Sequence, residues 1–336
     1  MAKLIVVIGV TGLQGSSVAD TFLRLPGWRV RGITRSPSSE AARALASRGV
    51  EVVEGDFNDK DSLRPAFQGA NVIFSNTDFF ANLLAAMRPG ADLPAGRTPN
   101  EHAYHVEVAQ GLNIAEVAAS PAVLRTLDRF VLSSLSDARG WSRGRYTSLY
   151  HYDSKAEMIR VIRERLPDLA RRMSTVQIGH YVTNWKAFRT MAPQRQADGS
   201  FLVIRPFAPG LELPFVVPHR DTGAFVKALV DLPAGKDLLG VSQTMAWPEW
   251  VELWGRILGV EAGFKQVSRE EFFAGTPKPV RDELWDSYEY CADFGYTGGD
   301  PEVLTPDQLD VEVPLTSMEE YIRSEDWSSL LSSTTA

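Results

Sequence analysis

Lys155 is the residue whose type and position most invite chemistry. The spacing predicts a helix over 153–166, and on it Lys155 shares a stripe with Ile159, Ile162 and Leu166, while Arg160, Arg163 and Glu164 fall outside it. An ammonium on an inward face costs free energy unless it meets a partner. A cofactor ribose or a substrate carbonyl would be such a partner; the bland alternative is a first-turn lysine that snorkels to water. His151 lies four residues earlier, flanked by Tyr150 and Tyr152. If the helix includes it, the imidazole lies beside the ammonium, which favours its neutral form. Lys155, His151 and Tyr152 are therefore the candidate catalytic residues, the first for stabilising charge and the others for supplying a proton. A structural histidine is the competing reading of His151. Lys155→Met, on this view, keeps the fold and removes the charge.

A second constellation opens the chain. Gly9, Gly12 and Gly15 punctuate a loop, completed by Thr11, Leu13 and Gln14, between an apolar run and a helical pattern. Gly9 permits a tight turn, Gly12 lets backbone approach a pyrophosphate, and Gly15 permits close packing. The following helix start offers free N–H groups and positive dipole to phosphate. The next apolar run ends Ile33-Thr34-Arg35-Ser36, with no acid before Glu40. A carboxylate there would hold the ribose 2′-hydroxyl of NAD, whereas arginine suits a 2′-phosphate. Arg35, with the hydroxyls of Thr34 and Ser36, points to NADP(H). Asp56 and Phe57 are placed to meet the adenine edge, and Asn76 and Thr77 the middle of the cofactor, unless each serves only its own turn.

Other reactive types offer less. The five histidines lack paired ligand spacing, so no metal site is expected, and no nucleophile-elbow pattern occurs. The single cysteine, Cys291, reads as a small buried hydrophobe. Trp247, Trp250 and Trp254 follow helical spacing and read as core.

The elements that must position these residues alternate. Strands are predicted at 4–10, 29–34, 50–54, 71–76 and 129–133, with helices at 15–25, 39–47, 60–67 and 104–119. Such alternation makes an α/β Rossmann fold, a doubly wound parallel sheet. Residues 87–103, rich in Pro, Gly and Ala, lack periodicity and fit a lid over the carboxyl edge of the sheet. After Ser174 the alternation loosens, with strands at 176–178 and 215–217 and a helix at 220–232. Seven of the eight tryptophans lie beyond residue 140, so the carboxy-terminal part is aromatic-rich. The expected division is 1–180 with 218–245 for the nucleotide domain and 181–217 with 246–330 for a substrate lobe. The Ser/Thr-rich stretch 328–335 is expected to fray.

At 336 residues, 44% hydrophobic and 23% charged, the composition is globular. A net charge of −7 with scattered basic residues argues against direct nucleic-acid binding. No apolar run approaches the roughly 20 residues of a membrane helix. One cysteine suits a reducing compartment, so a cytoplasmic location is expected.

Several stretches together resemble the NmrA-like family of atypical short-chain dehydrogenase/reductases. They are VIGVTGLQGSSVAD, ITRSPSSEAARALASRGVEVVEGDFND, ANVIFSNTDFF, HYDSKAEMIRVIRERL, STVQIGHYVTNW and EYCADFGYTGGDP. The resemblance implies a Rossmann core holding NADP(H) through Gly9–Gly15 and Arg35, with a smaller carboxy-terminal α+β lobe closing over the cofactor and Tyr181 and Asn184 lining the cleft near the nicotinamide. The KAEMIRVIRE stretch is similar to the lysine-bearing helix of isoflavone-reductase-like enzymes, which supports a catalytic Lys155. Standard short-chain dehydrogenases carry Tyr-x-x-x-Lys, whereas here His151 stands in the tyrosine position. No one of Ser133, Ser134 and Ser136 stands out as the catalytic serine; Ser133 is assigned to the cofactor. The family contains reductases and catalytically silent NADP(H) sensors. Two functions follow: an NADPH-dependent reductase of a small aromatic, enone, quinone or imine substrate, or a redox-sensing regulator of a protein partner. A homodimer is left open.

Arg35→Ala should lose about 1.5–3 kcal/mol of NADP+ affinity, the worth of a charge-assisted contact, and little NAD+ affinity. Titration of both cofactors checks this; an unchanged preference removes Arg35 from the role.

Overall fold

A computed structural model describes residues 2–332. The first apolar run forms β1 (Lys3–Ile8), buried from Leu4 onward. Alternation then gives α1 (Leu13–Leu23), β2 (Trp28–Thr34), α2 (Glu40–Ser47), β3 (Glu51–Glu54), α3 (Lys60–Ala66) and β4 (Val72–Ser75). The chain continues through α4 (Phe79–Ala86), α5 (Pro99–Ala118), α6 (Pro121–Leu124), β5 (Arg129–Ser134), α7 (Ala138–Trp141), α8 (Tyr150–Arg165), α9 (Pro167–Ala170) and β6 (Met173–Ile178). Four short strands follow, β7 (His180–Tyr181), β8 (Gln194–Arg195), β9 (Phe201–Arg205) and β10 (Glu212–Val216), then α10 (Pro218–Asp231), β11 (Asp237–Gly240) and β12 (Gln243–Ala246). The remaining elements are α11 (Trp247–Leu258), β13 (Ala262–Gln266), α12 (Arg269–Phe272), α13 (Lys278–Phe294), β14 (Val303–Leu304), α14 (Met318–Ser324) and α15 (Ser328–Leu331).

The large sheet has eight strands in the order β14-β11-β6-β5-β4-β1-β2-β3, and every pairing is parallel. Helices cover both faces, as the uninterrupted apolar strands require. Val18 and Phe22 of α1 join Phe225 and Leu229 of α10 in one core cluster; Ile114 of α5 and Met158 and Ile162 of α8 join the other. The strand order reverses between β1 and β4, where open α/β sheets leave a crevice for ligands. The Rossmann architecture expected of the sequence is therefore present.

A further core gathers Phe215, Trp247, Trp250, Trp254, Tyr288, Tyr321 and Trp327. It accompanies two three-stranded sheets, β12-β10-β7 and β13-β9-β8. The three helical tryptophans are 5%, 1% and 0% exposed, so their spacing marks core.

Several details depart from expectation. Residues 303–304, assigned to the smaller lobe, pair with β11 as the edge strand of the large sheet. Conversely 243–245, assigned to the nucleotide domain, pair with β10 in a small sheet. The proposed lid is shorter than 87–103, because α5 begins at Pro99. Thr98 and Glu101 form a reciprocal capping box and proline occupies the first turn, a start signal legible in Thr98-Pro-Asn-Glu101. The Ser/Thr-rich stretch is helical over Ser328–Leu331; its end, 333–335, lies outside the described residues. Among the described residues no helix is long and apolar enough to cross a membrane.

The contact of α1 with α10 fixes the helix that follows the glycine loop. A Cβ on Gly223 would fall 2.1 Å from Thr21 Oγ1 and 2.4 Å from Ser17 O, while its N–H donates to Ser17 Oγ at 2.9 Å. Gly223→Ala should therefore destabilise by about 1–3 kcal/mol through overpacking, read as a lower urea midpoint. An unchanged midpoint would show that the helices separate freely.

Candidate active site

The loop after β1 is shaped by two glycines. Gly9 has φ of +66°, and a Cβ on Gly15 would lie 2.3 Å from Gly9 O, so neither position accepts a side chain without rearrangement. Gly12 is the N-cap of α1 and offers no side-chain cap, which leaves first-turn N–H groups for a ligand. Leu13 is 47% exposed beside them.

Beyond the loop lies a cavity of about 520 Å³, within the ordinary range for small-molecule sites. It brings together eleven residues singled out from the sequence: Gly12, Leu13, Gln14, Asn76, Thr77, Ser133, His151, Tyr152, Lys155, Tyr181 and Asn184. Phe79 and Phe80 of α4 line it as well, with Leu284, Tyr288 and Cys291 of α13. No residue of 87–103 does, so the cover over the carboxyl edge comes from α4, α13 and the stretch around 179–191. Gly9, Thr11 and Gly15 shape the loop without lining the cavity. Thr34, Arg35, Ser36, Asp56 and Phe57 stand apart, at the ends of β2 and β3. Arg35 is exposed; Thr34 Oγ1 accepts the Ser36 N–H at 3.2 Å; Asp56 Oδ1 accepts the Asn58 N–H at 2.9 Å, capping its own turn; Phe57 packs on the core.

Lys155 is 8% exposed, as its stripe predicts, yet its partner is an element of the chain itself. Nζ donates to Glu107 Oε1 at 2.6 Å and lies 3.3 Å from Thr77 Oγ1. The Thr77 hydroxyl donates to the same oxygen at 2.7 Å, and Ser154 donates to Glu107 Oε2. Glu107 is fully buried on α5. Its place on the inward stripe with Ala103, Gln110 and Ile114 was readable from the sequence and was missed.

His151 falls inside α8, but the expected governing contact with Lys155 is replaced by one to Glu283 of α13. Glu283 Oε1 accepts from His151 Nδ1 at 2.6 Å and from the His151 backbone N–H at 2.7 Å. Its Oε2 accepts from Asn100 Nδ2 at 2.8 Å, and the carboxylate is fully buried. A carboxylate acceptor at Nδ1 places a proton there and leaves Nε2 as the ring's exchangeable position. Glu283 carried no sequence signal, since 132 residues separate it from His151.

Tyr152 is 2% exposed; burial first, then Cys291, raises its phenol well above the ordinary value. Burial likewise pushes the Cys291 thiol up to about 12. Tyr181 accepts from Gln14 Nε2 at 2.6 Å, joining β7 to the glycine loop. Gln14 Oε1 and Ser134 Oγ, on residues that line the cavity, are buried without a partner among the described residues. A glycine cradle, an uncapped helix start and these open polar atoms suit a dinucleotide.

Fold and site thus define a Rossmann-type nucleotide-binding class with a substrate-sized cavity beside the loop. The NmrA-like family model matches residues 1–327, and the chain belongs to that family. An NmrA-like oxidoreductase, hkm9 of Aspergillus hancockii, is 28% identical over 81% of this chain and 77% of its own. FrzB of Cladobotryum sp, another NmrA-like oxidoreductase, is 47% identical over 76 residues, only 23% of either chain. Among solved structures, the transcriptional regulator NmrA in complex with NADP superposes with a TM-score of 0.69 at 22% identity, covering 96% of this chain and 95% of that one. An NADPH-dependent quinone oxidoreductase from Escherichia coli gives 0.64 at 18%, covering 95% and 98%. These structural likenesses are of fold.

The Glu107 contact reverses the expectation for Lys155→Met. Removing the ammonium strands a buried carboxylate, so the variant should lose about 3–5 kcal/mol of stability. Lys155→Met combined with Glu107→Gln should recover most of it. Denaturant titration of both variants checks this; equal instability would mean that Glu107 does not depend on Lys155.

Proposed function

We propose that this NmrA-like protein is an NADP(H)-dependent oxidoreductase that reduces a small aromatic, enone, quinone or imine substrate. The observation that carries the reading is His151, held at Nδ1 by a buried carboxylate in the wall of a cavity that begins at the glycine loop. A nucleotide sensor needs the loop but has no use for an anchored proton donor beside a further aromatic-walled volume. The oxidoreductase names of the relatives support the same class.

On this reading Gly9–Gly15 hold the pyrophosphate, Thr34, Arg35 and Ser36 the 2′-phosphate, and Asp56 and Phe57 the adenine edge. Asn76, Thr77, Ser133, Tyr181 and Asn184 flank the inner part. When bound, reduced nicotinamide supplies hydride to the substrate. His151 delivers a proton from Nε2 to the substrate oxygen or nitrogen, and Glu283 stabilises the imidazolium that must re-form from solvent. Tyr152, with its phenol raised far out of range, shapes the wall instead of giving the proton. Lys155 is held by Glu107 and Thr77, so its one remaining N–H orients ribose or substrate more than it adds net charge. One substrate and one proton are consumed for each NADPH oxidised.

The second reading is an NADP(H)-sensing regulator with a protein partner. The neutralising ion pair of Lys155 with Glu107 favours it, as does the fold likeness to NmrA.

His151→Asn separates the two, because an amide N–H can replace Nδ1–H toward Glu283 while Nε2 is lost. Single-turnover NADPH oxidation with quinone and enone substrates should fall about 10²–10⁴-fold, with NADPH affinity nearly unchanged. Equal rates would remove His151 from catalysis, and no oxidation by the wild type with any substrate would favour the sensor.

A further inference from the structure

Arg205 is 1% exposed in the interior of the smaller core and has no carboxylate partner among the described residues. It ends β9, whose inward positions are Phe201, Val203 and Arg205. Its guanidinium stacks 3.7 Å from the Trp247 ring centroid. Nη1 donates to Ile204 O at 2.7 Å and Nη2 to Met191 O at 3.0 Å. Two carbonyls require only neutral N–H donors, which a glutamine could supply without the desolvation cost of a buried charge. The hydrogen bonds therefore explain where the side chain sits, and the Trp247 face meets the charge without neutralising it.

Titratable groups that sense that charge face the cavity, and the His180 ring packs 6.0 Å from Trp247, centroid to centroid. His180 and Tyr288 both line it, and both feel the guanidinium. Burial and then Arg205 push the His180 imidazole down to about 3, so it stays neutral with an N–H to offer. Neither the Tyr288 hydroxyl nor the His180 ring nitrogens make a hydrogen bond within the described residues, whereas Lys155 and His151 each have a buried carboxylate. The site's unbalanced positive charge lies at this end.

We infer that the smaller-lobe end of the cavity is a subsite for an anionic oxygen on the substrate, a carboxylate or acidic enolate. The Tyr288 hydroxyl and a His180 N–H donate to that oxygen, and the buried Arg205 charge behind them selects for its charge. The inference rests on the reductase reading for the word substrate, though the binding preference exists without turnover. Arg205 acts here as a positioning residue, through field instead of contact.

Calorimetric titration of benzoate and benzamide into protein saturated with NADP+ tests it, because the nucleotide keeps the anion off the glycine loop. The wild type should bind benzoate about tenfold or more tighter than benzamide, the scale of hydrogen bonds to a charged group. Tyr288→Phe, which keeps the ring packing, and Arg205→Met should each shrink that ratio toward one. Should Arg205→Met fail to fold, Tyr288→Phe alone decides. Equal affinities in the wild type, no binding of either probe, or a ratio that survives in the folded variants would each overturn the subsite. Charge selectivity without NADPH oxidation of any carbonyl substrate would retire the reductase and leave the subsite standing. Oxidation with equal probe affinities would do the reverse.

Discussion

A carboxylate taken out of water must be met by donors, and two fully buried glutamates impose that condition on the centre of this molecule. Glu107 on α5 draws in Lys155 and Ser154 from α8 and Thr77 from the loop after β4. Glu283 on α13 draws in His151 from the start of α8 and Asn100 from the start of α5. The helix bearing Lys155 and His151 is thereby held from two sides. One side belongs to the sheet's own helical layer; the other is α13, which spans the cavity wall. Loss of either carboxylate's donors would be felt as lost stability and as a displaced site together.

The sheet supplies the place where these helices can matter. Its order reverses between β1 and β4, so the glycine loop and the Asn76–Thr77 loop diverge there and leave a crevice. Gln14 closes one end of it by donating to Tyr181, tying the nucleotide loop to β7. The aromatic residues beyond are supported by the tryptophans of α11, whose own indole N–H groups lack partners among the described residues. That core is apolar almost throughout, which makes Arg205 its exception and, on the inference above, the origin of the cavity's polarity. A Rossmann sheet that positions a nucleotide and a tryptophan-rich core that shapes the far wall divide the work of such a site between them.

Much was legible in advance because it follows from local pattern. Uninterrupted apolar strands alternating with amphipathic helices determine a parallel sheet with covered faces. A glycine loop between the first strand and first helix determines where its open crevice lies. The inward lysine could be read from a single helical stripe, and the start of α5 was written in Thr98-Pro-Asn-Glu101, although the irregular composition before it obscured the signal. What local pattern could not supply is the identity of partners. Glu283 meets His151 across 132 residues, and Arg205, on a strand outside the large sheet, stacks on Trp247. Val303–Leu304 likewise joins the large sheet at its far edge from deep in the carboxy-terminal sequence. Such pairings depend on packing summed over the whole chain, since a buried charge is stable only where folding happens to deliver its complement. The sequence by itself therefore determined the architecture, the nucleotide loop and the inward face of α8. Only the tertiary structure decided that Lys155 is neutralised by Glu107, that His151 is anchored by Glu283, and that Arg205 is met by an aromatic face and two carbonyls without a carboxylate.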